Sequence, residues 1–232
     1  MNDVTCEEKK VILFLVEGPT DEISLGMILQ KILKDKKIFF HIIYTDLTSE
    51  KQSNVQNIFK KIEEEIQKEC SIQCFFPSDI MKIIQLVDTD GAFIRDSLIL
   101  EEDVEHAIYT AENIKTKHLS EMKKRNLRKS GILNFLISQN NILDIPYKVY
   151  YFSCNLEHVL HNEQNLPQEE KGEFADVFSE KFYGKPQEFI DFICDKEFAV
   201  EGSYVETWNF IKQDTHSLKR YTNFQLFFDE DK

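Results

Sequence analysis

The chain of 232 residues carries 28 basic against 41 acidic side chains, a formal charge of −13 that argues against sequence-blind binding of a polyanion over its whole surface. Hydrophobic residues make up 42%, with 19 Phe and 8 Tyr but only 7 Gly and 5 Pro, which excludes a disordered or low-complexity chain. A chain of this length buries roughly 70% of its unfolded surface, enough for a full hydrophobic core.

After a polar N-terminal tail, Val11 to Val16 is an unbroken run of strand formers closed by Glu17, Gly18 and Pro19, and reads as a buried strand. Thr20 is the expected N-cap of a helix carrying Ile23, Met27, Ile28 and Ile32. Ile38 to Tyr44 gives a second strand with His41 as a core histidine. Ser53 is placed to open a helix whose Val55, Ile58, Phe59, Ile62 and Ile66 share one stripe. Lys82 to Val87 is a third strand, apolar on both faces through Ile83, Ile84, Leu86 and Val87. Strands of this kind alternating with helices predict an α/β fold with right-handed crossovers and a parallel sheet covered by helices on both faces.

Residues 91–103 read as a loop, followed by a long helical region with a basic stretch of Lys115, Lys117, Lys123, Lys124, Arg125, Arg128 and Lys129. Two readings stay open for it: a phosphate-contacting face, with Lys123, Lys124, Arg125 and Arg128 as its centre, or a solvated helix face. Ile132, Leu133, Leu136 and Ile137 bury the end of that helix. Pro146 to Phe152 is a fourth strand, leading into another strand-to-helix corner that contains Glu157. From Asn162 onward the strand pattern stops. Phe174, Val177, Phe178 and Phe182 fit one helix, Phe189, Ile190 and Ile193 another, and Ser203 caps a third. Residues 1–162 are therefore expected to form the α/β domain, with 163–232 a helical extension packed on it.

Cys6, Cys70, Cys74, Cys154 and Cys194 are odd in number and contain no Cys-x-x-Cys pair. Together with the lack of a signal-like N-terminal segment, this leads to the expectation of a reduced, cytoplasmic setting. The longest apolar runs fall far short of the ~20 residues that span a bilayer, so no membrane association is expected. Sequences for a phosphate-binding P-loop or a Gly-x-Ser-x-Gly elbow are not present.

The chemistry is expected where strands end in acids. Glu17 follows the first strand, Asp88 and Asp90 the third, and Glu157 the fourth, and in a parallel sheet these ends share one edge. Asp88, Thr89, Asp90 and Gly91 are also good turn chemistry, so a surface turn is the plain alternative. Four converging carboxylates repel one another unless a cation lies among them, and an oxygen-only set suits Mg²⁺ or Mn²⁺. Such an ion polarises a phosphoryl oxygen and activates water, and a pair about 3.5–4 Å apart clamps both oxygens of a phosphodiester displacement. A lysine buried among residues 17, 88 and 90 in place of the ion would instead point to a scaffold.

Val16 to Glu22 and Val87 to Gly91 resemble the glutamate and Asp-x-Asp motifs of the Toprim fold, which topoisomerases, bacterial primases, recombination mediators and OLD-type nucleases share. Phe152 to Leu160 resembles a later motif of RloB-like Toprim proteins, with Val159 where the relatives carry an aromatic residue. The likeness spans residues 10–162. It implies that Glu17 is a general acid/base or metal ligand, that Asp88 and Asp90 bind Mg²⁺ or Mn²⁺, and that Glu157 completes the metal shell. Asp21 and Glu22 match acidic positions of the first motif, where they either orient a metal-bound water or only complement a helix N-terminus. The function implied is a metal-dependent nuclease on DNA or RNA, an antiphage effector with a possible partner ATPase. The alternative is a non-catalytic Toprim module that binds nucleic acid or a partner protein.

Overall fold

A computed structural model describes residues 10–33, 38–44 and 47–229, with the side chains of residues 10 and 38–44 outside that description. The N-terminal tail with Cys6 and the ring of His41 therefore lie outside the described residues. In chain order the first elements are β1 (Lys10–Val16), α1 (Pro19–Ile32), β2 (Ile38–Tyr44), α2 (Ile58–Gln73) and β3 (Ile80–Asp88). Then come β4 (Ile99–Glu101), β5 (Ile108–Tyr109), β6 (Ile114–Thr116), α3 (Leu119–Leu136), β7 (Asn141–Ile142) and β8 (Ile145–Phe152). The chain continues with α4 (Leu156–His161), α5 (Lys171–Lys181), α6 (Pro186–Ile193), α7 (Tyr204–Ile211) and α8 (Leu226–Asp229).

The main sheet has the order β2-β1-β3-β8-β7, and its four long strands run parallel. Only the two-residue β7 is antiparallel, as a hairpin on β8. Period-two alternation divides the core. Val11, Leu13, Leu15, Ile83, Val87, Val149 and Tyr151 face α2, α3 and Trp208. Ile12, Phe14, Val16, Ile84, Leu86, Tyr150 and Phe152 face α1, α4 and the C-terminal phenylalanines. Burying each such side chain stabilises the fold by about 1.5–3 kcal/mol, so two full faces dominate its energetics.

The C-terminal segment belongs to this core. Beyond β7, the outer edge of β8 is sealed by the tail: the Tyr151 N–H donates to Asn223 Oδ1 at 2.9 Å, Thr222 Oγ1 donates to the Tyr151 carbonyl at 2.7 Å, and the Ser153 N–H donates to the Tyr221 carbonyl at 2.8 Å. An open strand edge would otherwise leave those groups for another chain. Ser203 caps α7 as expected, accepting from the Glu206 N–H.

Several expectations need correction. The N-cap of α1 is Gly18 rather than Thr20, because Pro19 takes the first helical position, where its missing N–H costs nothing. Helix α2 starts at Ile58 rather than at Ser53, since Asn54 and Asn57 hold residues 52–57 in side-chain-bonded turns, and Val55 is exposed. The region after 103 is not one long helix. Residues 99–116 form a small sheet, β4-β6-β5, whose Ile99 and Ile114 pack with Ile94 and Leu218. Lys115 lies on β6 and pairs with Glu102 at 2.9 Å, so it stands apart from the helical basic residues.

Candidate functional site

Strand register brings the acids to one edge. Leu15 lies beside Gln85 and Asp88 beside Phe152, so the ends of β1, β3 and β8 come level. Glu17 sits in the β1–α1 corner. Asp21, in the first turn of α1, accepts the backbone N–H groups of both Glu17 and Gly18 at 3.0 Å and so holds that corner. Burial pushes the Asp21 carboxyl up to about 6 despite these two bonds. Glu22 points elsewhere, lining a cavity of about 400 Å³ between α1 and α5.

The corner after β3 is built with unusual backbone. Asp90 has φ +48° and Gly91 φ +63°, both in the left-handed region. The Thr89 N–H donates to the Phe152 carbonyl at 3.0 Å and the Asp90 N–H to the Cys154 carbonyl at 2.7 Å, which ties the corner to the end of β8. Gly91 has no room for a side chain: a Cβ there would lie 2.5 Å from Leu218 Cδ2. Asp88 and Asp90 therefore do not behave as two equivalent ligands at a period of two, because Asp90 is already in the turn.

Helix α3 supplies the counter-charge. Lys129, fully buried, donates from Nζ to Asp90 Oδ2 at 2.5 Å and to Glu17 Oε1 at 3.4 Å. One turn earlier, Arg125 Nη2 donates to the Asp90 carbonyl at 2.7 Å, its Nη1 donates to the Tyr109 hydroxyl at 2.9 Å, and Nη1 lies 3.7 Å from Asp90 Oδ2. Asn126 donates to the Gly91 carbonyl at 3.1 Å. Residues 125, 126 and 129 share one helix face at the spacings that make helix neighbours. Burial works against the Asp90 charge, but Lys129 and Arg125 outweigh it and hold the carboxyl below its ordinary range.

Glu157 enters from the first turn of α4, nearly fully buried, with Oε1 2.9 Å from Lys171 Nζ at the start of α5. Its Oε2 is buried without a hydrogen-bond partner among the described residues. Asp88 is the odd carboxylate. Burial pushes it well above its ordinary value, and Glu17, Asp21, Asp90 and Glu157 push it in the same direction. It has no ion pair among the described residues. Five carboxylates thus face three fixed cations, Lys129, Arg125 and Lys171, two charges short of balance.

The predicted site residues Glu17, Asp88, Asp90 and Glu157 do converge, and lysines stand among them. Lys129 is the buried lysine whose presence would point away from a cation, and it answers Glu17 and Asp90 while leaving Asp88. Among the described residues, no three His, Cys, Asp or Glu side chains are gathered as a ready ligand group; Lys129 bridges Glu17 and Asp90, and Lys171 engages Glu157. The remaining donors fit a hard cation: Asp88 and the unpartnered Glu157 Oε2 are oxygens in surroundings of net negative charge.

The basic stretch divides between side chains anchored to the fold and side chains that reach solvent. Lys129 is buried, Arg125 is bound to the Asp90 corner, and Arg128 Nη2 donates to the Ser49 carbonyl at 2.9 Å. Lys124 is exposed and Lys123 half-buried. Sequence reasoning missed the site role of Lys129, along with Asn126 and Lys171. His161 packs edge-on against Phe174 and Phe178, and burial pushes His158 down to about 4. No helix among the described residues is long and apolar enough to cross a membrane. Comparison with protein-family models, curated proteins and solved structures finds no match for this chain.

Proposed function

We propose that this sheet edge is the active site of a divalent-cation-dependent phosphodiesterase of Toprim type, acting on nucleic acid. The observation that carries the reading is Asp88: a partly buried carboxylate at a strand end, surrounded by four others, with no ion pair among the described residues. Asp88 and Glu157, with Glu17 beside them, would hold Mg²⁺ or Mn²⁺. When bound, the ion supplies Lewis-acid polarisation of a phosphoryl oxygen and an activated water. Lys129 keeps Asp90 ionised, contacts Glu17 and leaves a fixed positive charge at the site. Glu17, partly exposed beside that charge, would take the proton of an attacking water. The motif likeness of residues 16–22, 87–91 and 152–160 supports the same reading and, with it, the proposal of an antiphage role with a partner ATPase. The test compares wild type, Glu17→Gln and Asp88→Asn on DNA and RNA with Mg²⁺, Mn²⁺ or EDTA. Cleavage confined to metal-loaded wild type is expected, and undiminished cleavage by either variant would refute the assignment.

Lys129 also favours a second reading, a binding module whose acids are neutralised by lysines rather than by an ion. Titration calorimetry separates the two. The hydrolytic site takes up Mg²⁺ and loses that heat in Asp88→Asn, whereas the module shows no uptake.

A further inference from the structure

Beside Arg125 lies an open cavity of about 680 Å³, lined by residues 49 and 51, the β4–β5 connection, Thr116, His118 and the first half of α3. Lys51, Lys124, Arg125 and Arg128 line it against two acids, Glu105 and Glu121, so its wall is positive in a chain of net charge −13. His106 and His118 add two exposed rings. Arg125 is the shared wall, since the same guanidinium touches the Asp90 carbonyl. Arg128 is anchored at Ser49 through Nη2, and its Nε is buried without a hydrogen-bond partner among the described residues. The held guanidinium, with Lys124 beside it in the lining, offers an entering anionic oxygen charge-assisted hydrogen bonds.

We propose that this cavity binds one nucleotide of a single-stranded nucleic acid, with the phosphate on Arg128 and Lys124 and the base against His106 and His118. The proposal rests on the hydrolytic reading for its position beside the scissile phosphate; the binding itself needs no metal. The volume falls in the range of roughly 300–1,000 Å³ typical of small-ligand sites and suits a nucleotide. A base stacked and paired in a duplex cannot enter such a recess, whereas an unpaired base can be splayed into it and stacked on a side-chain ring. Stacking on rings is indifferent to base identity, so sequence preference is weak. The cavity also resolves the conflict between an acidic protein and a polyanionic substrate, because attraction is confined to one basic recess that shares Arg125 with the acid cluster.

Fluorescence anisotropy in EDTA, with short labelled oligothymidylate, oligouridylate and a duplex, tests this without metal or cleavage. Wild type should bind both single strands and discriminate against the duplex, and a preference between the two names the sugar. Lys51→Glu/Lys124→Glu changes two exposed side chains; it should weaken binding at least ~10-fold and lower the salt slope by about 0.7, the value for one single-strand phosphate contact. Lys60→Glu/Lys196→Glu, with side chains 79% and 86% exposed and away from the cavity, should bind as wild type does. Circular dichroism confirms that each variant is folded. Duplex bound as tightly as single strand, an unchanged cavity variant, or an equal loss in the control pair would overturn the proposal. Single-strand binding that depends on Lys51 and Lys124, in a protein without metal-dependent cleavage, would sustain the cavity while removing the hydrolytic reading.

Discussion

Replacing Lys129 by Met is the sharpest probe of how the acid cluster is held. The substitution keeps most of the volume of a side chain with no solvent exposure and removes the ammonium that bridges Asp90 and Glu17. Breaking a buried ion pair by deleting one partner costs about 3–5 kcal/mol, because the other charge stays buried and unpaired. The Asp90 side chain is 21% exposed and Arg125 remains 3.7 Å away, so the lower end applies, about 3 kcal/mol. At about 2–4 °C per kcal/mol for a chain of this size, the midpoint of thermal unfolding should fall by about 6–12 °C. Lys129→Met/Asp90→Asn removes both charges, and a double-mutant cycle should return a coupling of about 2 kcal/mol. Thermal unfolding followed by circular dichroism without divalent cations is the assay. A Lys129→Met midpoint equal to wild type, or strictly additive variants, would show that the lysine does not hold the acids.

Asp88→Asn should raise the stability of the metal-free protein by about 1 kcal/mol, since it removes a carboxylate whose ionised form its neighbours oppose. A loss of stability in denaturant titration would mean that Asp88 has a structural partner instead. Asp21 has a folded value of about 6, above its ordinary 3.8, so the stability it contributes is full below about 3.8 and is lost as pH rises through 6. Asp21→Asn, which can still accept the Glu17 and Gly18 N–H groups, should therefore gain on wild type by up to about 3 kcal/mol between pH 4 and 7. Parallel pH–stability curves would contradict this. Gly91→Ala adds a Cβ 2.5 Å from Leu218 Cδ2 at φ +63° and should cost about 1–3 kcal/mol by chemical denaturation. A change under about 0.5 kcal/mol would show that the corner relaxes freely.

The sequence by itself determined the layered sheet and the edge on which the acids lie. Runs such as Val11 to Val16 and Ile83 to Val87 are apolar at every step, so they need cover on both faces, and the intervening helices force parallel crossovers. Once the strands are parallel, Glu17, Asp88 and Glu157 share an edge without any further information. Local side-chain competition escaped that pattern: residues 52–57 turn because two asparagines bond their own backbone, and Pro19 moves the cap to Gly18. Residues 99–116 were missed because strands of two or three residues are too short to show a period. Only the tertiary structure decided the charge arrangement at the site. Lys129 reads as one more cation in a basic stretch, and whether it meets water or carboxylates depends on Asp90 and Glu17, which lie 39 and 112 positions away along the chain. Burial of a charge is set by partners that packing brings together, and no local period encodes that meeting.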